Sequence, residues 1–404
     1  MADDSKGTRA GSRRRRAGGS RGRRRKPPAR RKGWRIAAWA LAGVILLGGG
    51  GLGFLYFKFN GNLHGVDINA ALGKNRPKDV DNGSQDILVL GSDSRAGANA
   101  KYGTDEGSAR SDTAMILHVY EGHKKASVVS IPRDTIVSRP ECKTSEGRTS
   151  PAVKRAQFNE AYSIGGPACA VATVESMTGI RMDHFVEVDF AGFQKMIDKL
   201  GGVEVTTAKP IHDKWSHLDL AAGTHTLNGE KSLALVRTRK GVGDGSDLGR
   251  IKLQQTFIKA LLDQIKSVGL FTSPTKLYGL ADTATKAVTT DRELASLDKL
   301  MSFANGLKSI ESNDMHMVTL PVTYDPRDPN RVVPLEAESA EVWDALRADR
   351  EIPQSALKDG AGTKTDADNA VKQVSAGKGA DGKTEKTEKA EKAEKTAAEK
   401  SPVK

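Results

Sequence analysis

Twenty-two consecutive uncharged residues, Ile36 to Phe57 (IAAWALAGVILLGGGGLGFLYF), divide this 404-residue chain into two very unequal parts. A helix rising ~1.5 Å per residue over that length covers the ~30 Å hydrocarbon layer of a bilayer. The stretch is therefore expected to be a single transmembrane helix. Five glycines between Gly48 and Gly53 lower its helix propensity, while Trp34, Trp39, Tyr56 and Phe57 stand where aromatic side chains mark the two interfaces. A cleaved leader is the competing reading. It is disfavoured by the length of the apolar run and by the lack of a small-x-small site after Phe59.

Charge sets the orientation. The first 35 residues carry fifteen Lys or Arg against Asp3 and Asp4, a surplus of 13 that equals the net charge of the whole chain. Everything after residue 35 is neutral in sum, so the basic balance describes a tail and excludes a strongly basic nucleic-acid-binding face on the globular part. The positive-inside rule places residues 1–35, a Gly/Ser/Pro-rich basic segment expected to be disordered, in the cytoplasm. The remainder is placed outside the cell membrane, with anionic membrane lipid as a partner of the arginines and no nucleic acid. Residues 58–80 read as a stalk and 81–350 as one catalytic domain. Residues 351–404, which contain the repeat KTEKTEKAEKAEKTAAEK, read as a Lys/Glu/Ala-rich disordered tail that cannot bury a core.

Within the domain, short apolar strands alternate with helical patterns. Asp86–Leu90, Thr113–Tyr120, Ala126–Ile131, His184–Val188, Val203–Thr206 and Met315–Leu320 read as strands. Helices are expected over Val153–Ile164, from Pro167 to Gly179, from Asp189 through Leu200, and over Asn228–Val236, Leu248–Val268 and Arg292–Leu307, with proline near starts and glycine past ends. Such alternation means an α/β layered fold; it leaves strand direction open.

Arginines and acids recur where these elements meet loops: Asp93-Ser94-Arg95, Arg110-Ser111-Asp112, Arg133-Asp134, Arg237-Thr238-Arg239 and Asp247 with Arg250. Forked guanidiniums suit phosphate oxygens, and paired carboxylates suit a hard divalent cation. Together they read as one metal-assisted phosphate site. Arg250 and Gln254 are spaced i,i+4 near a helix start and would point one way beside exposed backbone N–H groups. Asp134 either serves this site or caps the turn after Pro132-Arg133, and Arg95 either serves it or pairs locally with Asp93. Asp93 and Asp112 each border an apolar strand, where an unpaired carboxylate would be costly. The stripe of Leu233, Leu235, Val236, Phe257, Ile258, Leu261, Leu262 and Ile265 is either lipid-lining or plain core. His212, His217 and His225 fit no standard zinc spacing. The two cysteines, Cys142 and Cys169, both follow the apolar segment. They are expected to form a disulfide, with a nucleophilic cysteine as the alternative.

The succession ILVLGSDSR, RSDTAMIL, SIPRDT, FNEAYSIGG, HFVEVDFAGF, LGGVEV, LNGEKSLALVRTR and SDLGRIKLQQ resembles the LytR-CpsA-Psr family over roughly residues 84–265. The resemblance implies an α/β/α domain with a mixed central sheet and a deep apolar tunnel for a polyprenyl chain. It implies transfer of an anionic glycopolymer, such as a teichoic acid, from a polyprenyl-pyrophosphate carrier to a peptidoglycan hydroxyl, releasing polyprenyl phosphate. On that resemblance Asp93 and Asp112 hold magnesium, or manganese, and Arg110, Arg133, Arg237, Arg239 and Arg250 are the catalytic arginines. Gln254 stands one turn after Arg250 among them, and Arg95 and Asp134 are further candidate substrate-binding residues. Many relatives carry a lysine before the hydrophobe-Asn-x-Ala motif, where this chain has Gln157. Hydrolysis of the same pyrophosphate, or a non-catalytic regulatory role in the envelope, are the alternatives.

Overall fold

A computed structural model of the chain describes residues 50–51, 53–74, 76–92, 111–144, 146–239, 242, 247–269, 273–358 and 374–376. The chain divides into two compact units, Met1–Leu55 and Tyr56–Lys404. Of the first, only helical residues 50–51 and 53–55 are described. The basic tail and most of the expected membrane helix therefore lie outside the described residues, as does most of the C-terminal tail. Among the described residues no helix is long and apolar enough to cross a membrane.

The second unit is built on a seven-stranded mixed sheet. Its strands are β1 (His64–Val66), β2 (Gln85–Ser92), β3 (Ser111–Val119), β4 (Ala126–Ile131), β5 (His184–Asp189), β6 (Val288–Asp291) and β7 (Met315–Thr319), in the order β1-β6-β5-β2-β3-β4-β7. The pairs β2/β3, β3/β4 and β5/β6 are antiparallel; β2/β5, β4/β7 and β1/β6 are parallel. The C-terminal ends of β2, β4, β5 and β7 and the start of β3 thus share one edge, the edge at which open α/β sheets bind ligands.

Alternation along the strands decides what each face buries. On one face Leu88, Leu90, Ala114, Ile116, Val129, Ile131 and Phe185 pack under helices α1 (Phe158–Thr178) and α7 (Glu336–Arg347), with Phe158, Val171, Val174, Val342, Trp343 and Leu346 completing the core. The other face meets α4 (Asp247–Ser267) and α6 (Leu297–Leu307). Beside it, α2 (Phe190–Lys199), α3 (Gly229–Arg237) and the first half of α4 enclose a second cluster. It contains Ile197, Val203, Val205, Leu227, Leu235, Leu253 and Phe257. Helix α5 (Pro274–Ala287) lies against α2. Gly192 allows that approach, because a Cβ there would stand 2.2 Å from Ala287 Cβ.

The layered α/β fold with a mixed sheet stands as expected, with corrections in detail. Val153–Gln157 is a strand paired with Ile136–Arg139, not the start of a helix. Its neighbours on the partner strand satisfy backbone groups that a helix would otherwise have to bond internally. Helix α1 instead runs from Phe158 through a break at Gly165 and Gly166, where φ is +61° at Gly166, to a left-handed cap at Gly179. Asp189 and Asn228 cap α2 and α3 through their side chains, accepting from Gly192 N and Lys231 N. The helix expected from Arg292 begins only at Leu297, since Asp291 accepts from Glu293 N and Leu294 N in a turn. The expected stalk is partly folded in: His64–Val66 is the edge strand β1, and Arg76 is locked by Glu175 at 2.5 Å. Beyond residue 351, Gln354–Leu357 forms a 3-10 turn that buries Ala356, and Val374–Ala376 pairs with Val203–Thr207.

Candidate functional site

Three guanidiniums and three carboxylates meet at the ligand-binding edge of the sheet. Asp112 follows the first residue of β3, and Arg133 sits two residues past the end of β4, held by its carbonyl accepting from Asn159 N at the start of α1. Arg133 Nη1 donates to Asp112 Oδ1 at 2.6 Å, and its Nε lies 3.5 Å from Asp134 Oδ2 and 3.8 Å from Asp247 Oδ1. Asp247, in the first turn of α4, lies 2.6 Å from Arg250 Nη2 and 3.8 Å from Arg239 Nη2. Arg250 also donates to the Asp112 carbonyl at 3.2 Å. Asp247 therefore gathers three arginines from three segments into one cluster.

Burial gives this cluster its electrostatic character. Arg250 is only 5% exposed, and burial pulls its guanidinium below the usual arginine range, aided by Arg239 and Arg133 and opposed by Asp247. At Arg133 burial acts the same way, but Asp112, Asp247 and Asp134 outweigh it and hold the group above that range. Arg133 Nε, Arg250 Nε and both carboxylate oxygens of Asp247 are buried without a hydrogen-bond partner among the described residues. The 2.6 Å approach of Arg250 to Asp247 is thus an ion pair off hydrogen-bonding directions. Buried polar atoms are nearly always paired, so two guanidinium N–H groups without acceptors indicate a cradle for an anion.

Gln254, one turn after Arg250, is anchored, with Nε2 donating to Thr113 Oγ1 and to the Val236 carbonyl at 3.2 and 3.0 Å. It ties α4 to β3 and to the end of α3. Arg237 lies over the Phe190 ring, 5.1 Å from its centroid, while Arg239 faces Asp247. The two arginines, separated by extended Thr238, thus engage different neighbours. Asp93, Arg95 and Arg110 lie outside the described residues. Cys142 and Cys169 are joined as a disulfide that fastens the Cys142–Lys143/Thr149–Ser150 hairpin to α1 beside its break.

Two groups were not anticipated. Arg331, on the Asp328–Pro334 strand, donates from Nη1 to Asp134 Oδ1 at 3.1 Å. With the Gln157 amide turned oxygen-inward, that oxygen accepts from Arg331 Nη2 and Nε at 2.8 and 2.9 Å. A cation thus stands beside the position where Gln157 departs from the family pattern. Nothing local in the sequence signals it, since Arg331 and Asp134 are 197 residues apart. The second is Glu187, whose carboxylate accepts from Tyr162 Oη at 2.5 Å while Tyr162 Oη is 3.2 Å from Ser92 Oγ. Burial pushes Glu187 up, against the pull of its bonds from Tyr162 and Ser92. Its signal was legible: in HFVEVD it takes the core-facing position two after Phe185.

Along α4, Arg250 and Gln254 are succeeded at the same spacing by Ile258 and Leu262. Those two join Val89, Leu117, Val186, Met317, Phe303 and Leu307 in an apolar layer on the sheet that remains partly accessible. Leu235 and Phe257, with Val236 and Leu261 packed against them, belong to the second-lobe core instead.

Carboxylate oxygens are the right donors for a hard cation, and magnesium needs only one or two of them. Asp112, with one oxygen on Arg133, fits that role. Among the described residues no group of three or more His, Cys, Asp or Glu is assembled for a metal.

Fold and site together define a three-layer α/β domain with an arginine-lined anion cradle at the strand ends. The LytR_cpsA_psr family model matches residues 55–348, and the chain belongs to that family. It is 31% identical over 313 residues to the cell wall biosynthesis protein LcpA of Corynebacterium glutamicum, covering 70% of this chain but 59% of that protein. It is 32% identical over 289 residues to the polyisoprenyl-teichoic acid--peptidoglycan teichoic acid transferase TagT of Bacillus subtilis, covering 69% of this chain and 83% of TagT. The crystal structure of B. subtilis TagV superposes with a TM-score of 0.52 at 26% identity, over 67% of this chain and 98% of that one.

Proposed function

We propose that this chain is a membrane-anchored phosphotransferase that moves an anionic glycopolymer from a polyprenyl-pyrophosphate carrier to a peptidoglycan hydroxyl. The observation that carries the reading is the stripe on α4, where Arg250 and Gln254 at the anion cradle give way at four-residue steps to Ile258 and Leu262 on a partly open apolar layer. Side chains so spaced lie on one helix face. A charged head followed by an apolar track matches a lipid pyrophosphate end to end. The TagT relative is named as a teichoic acid transferase acting from a polyisoprenyl carrier, which supports the same substrate class.

In this reading Arg133, Arg239 and Arg250 bind the pyrophosphate and stabilise charge as it develops on the leaving phosphate. The acceptor hydroxyl oxygen attacks the phosphorus bound to the glycopolymer, a new P–O bond forms as the hydroxyl proton passes to solvent, the bridging P–O bond breaks, and polyprenyl phosphate leaves. Magnesium or manganese, held by Asp112 together with Asp93, would supply Lewis-acid charge to phosphate oxygens. Asp134 and Asp247 orient the arginines before substrate arrives. In this reading the basic first 35 residues stay in the cytoplasm and the apolar segment anchors the domain on the outer side, where the lipid pyrophosphate must itself supply the leaving group.

The full-length protein in detergent, with magnesium, is to be incubated with a polyprenyl-pyrophosphate-linked oligosaccharide and uncrosslinked peptidoglycan glycan. Phosphodiester-linked glycan together with polyprenyl phosphate is the expected product. Free oligosaccharide phosphate in its place would convert the reading to hydrolysis, and unchanged donor would overturn both.

A further inference from the structure

The hairpin Ile211–Asp213/Leu218–Leu220 has its root in the second-lobe core, where Ile211, Leu218 and Leu220 are buried, and its tip carries Trp215, 78% exposed. A lone exposed apolar side chain is ordinary on a protein surface. What sets Trp215 apart is how its backbone is held. Asp213 is 3% exposed; its Oδ1 accepts from Trp215 N at 2.8 Å, and its Oδ2 accepts from Arg239 N at 3.0 Å. One buried carboxylate thereby ties the backbone at Trp215 to the backbone at Arg239, whose side chain belongs to the anion cluster. A second link joins the same segments. Thr238 Oγ1 donates to the Ala234 carbonyl, so Ser216 Oγ is the donor in its 2.8 Å bond to Thr238 Oγ1. Asp213 and Thr238 are buried, so the tip is keyed to the Arg-Thr-Arg run by groups shielded from water.

An exposed indole carried on backbone that is anchored to Arg239 combines a broad apolar ring face with the charge and hydrogen-bonding groups of the residues joined to it, here Lys214, Ser216, His217 and Arg239. That combination suits a saccharide. One face of a pyranose is lined with C–H groups that lie against the negative face of an aromatic ring, while its rim of hydroxyls seeks polar partners. A rigid two-torsion side chain also loses little entropy on contact. The lipid part of the donor is matched by the apolar layer over β2, β3 and β7, which leaves the sugar beyond the pyrophosphate, or the sugar bearing the acceptor hydroxyl, to the other side of the arginines.

We propose that Trp215 is the stacking platform of a saccharide subsite adjoining the pyrophosphate cradle. The proposal rests on the transferase reading for the identity of the saccharide, and its test separates the two. Wild-type protein, Trp215→Ala and Trp215→Phe are to be compared in transfer assays in which the polyprenyl-pyrophosphate oligosaccharide and the uncrosslinked glycan are varied in turn. Trp215→Ala is expected to raise KM about tenfold for one of the two, with kcat changed by no more than about twofold, and Trp215→Phe to recover most of the loss. A rise for the donor assigns the subsite to the transferred polymer; a rise for the glycan assigns it to the acceptor. In parallel, binding of sugar-free polyprenyl pyrophosphate is to be measured by calorimetry, and it should be equal in wild type and Trp215→Ala. Equal KM values for both saccharide substrates in Trp215→Ala would overturn the platform while leaving the transferase reading intact. Weakened binding of the sugar-free lipid would also overturn it, by showing that the change reaches the cradle. If wild type transfers nothing, the transferase reading fails. The platform then stands only if uncrosslinked glycan shifts the tryptophan emission of wild type and not that of Trp215→Phe, and falls if it does not.

Discussion

Arg133 and Asp112, 21 residues apart, meet at 2.6 Å where β3 begins and β4 ends. The antiparallel pairing of those strands brings the two positions to one edge, so the ion pair is a direct product of sheet register. It also sets a competition. Asp112 serves as a cation ligand in the proposed reaction, yet one of its oxygens neutralises Arg133. Asp112→Asn should therefore free Arg133 while weakening the metal. We expect magnesium affinity by calorimetry to fall at least tenfold, and transfer to fall about a hundredfold, the order seen when one charge-stabilising group is removed from an active site. Normal magnesium binding in the variant would remove Asp112 from the ligand set.

Asp247 is the second hinge of the cluster, within 4 Å of Arg133, Arg239 and Arg250. Replacing it by Asn leaves three guanidiniums facing one another with no central carboxylate. The expected result is a lower melting temperature without ligand and a larger upward shift on adding inorganic pyrophosphate, because the anion then supplies the missing negative charge. An identical pyrophosphate shift in wild type and Asp247→Asn would show that the carboxylate does not hold the arginines in place.

The architecture was largely legible because it follows from period-two apolar strands and from capping residues. Ala126–Ile131 forms as a strand over its anticipated span, and the Asp189 and Asn228 caps act through their own side chains. Arg133, Arg239 and Arg250 converge because each ends or begins an element. The rest depended on distance. VKRAQ reads locally as helix yet pairs with Ile136–Arg139, a partner no local window contains. Arg331 reaches Asp134 through a hairpin near the other end of the domain. Arg237 is grouped with Arg239 by the family resemblance and by spacing, and its guanidinium lies over the ring of Phe190, a contact that no local pattern announces.

Away from the site, His118 is fully buried, with Nδ1 2.8 Å from Asp86 Oδ1 and Nε2 3.0 Å from Asp349 Oδ1. Two carboxylates on both ring nitrogens favour the doubly protonated imidazolium. Burial works against that charge, but Asp86 and Asp349 outweigh it and raise the histidine above its ordinary value. A raised histidine contributes stability that is fully present below about pH 6.5 and lost as pH climbs through the folded value. The melting temperature should thus decline from pH 6 to pH 8.5 in wild type, and the decline should flatten in His118→Gln. Parallel curves for the two proteins would assign the slope to other groups.

Arg331 provides the sharpest test of how the cluster is wired. Its guanidinium joins Gln157 and Asp134, and Asp134 in turn lies 3.5 Å from Arg133 Nε. The chain Arg331, Asp134, Arg133, Asp112 therefore runs from the Asp328–Pro334 strand to the proposed metal ligand. If Arg331 acts by aligning Arg133 through Asp134, removing it should lower transfer about tenfold, and lysine should recover little, since one ammonium cannot meet Gln157 and Asp134 with a planar fork. The two roles open to it differ in their coupling. In a double-mutant cycle, Arg331→Ala should cost far less in an Asp134→Asn background than in wild type, because the link it supports is already cut. Additive losses would mean that Arg331 meets the pyrophosphate directly. In that case lysine at 331 should restore donor binding substantially, and the anion cradle would extend across the sheet edge to the C-terminal hairpin.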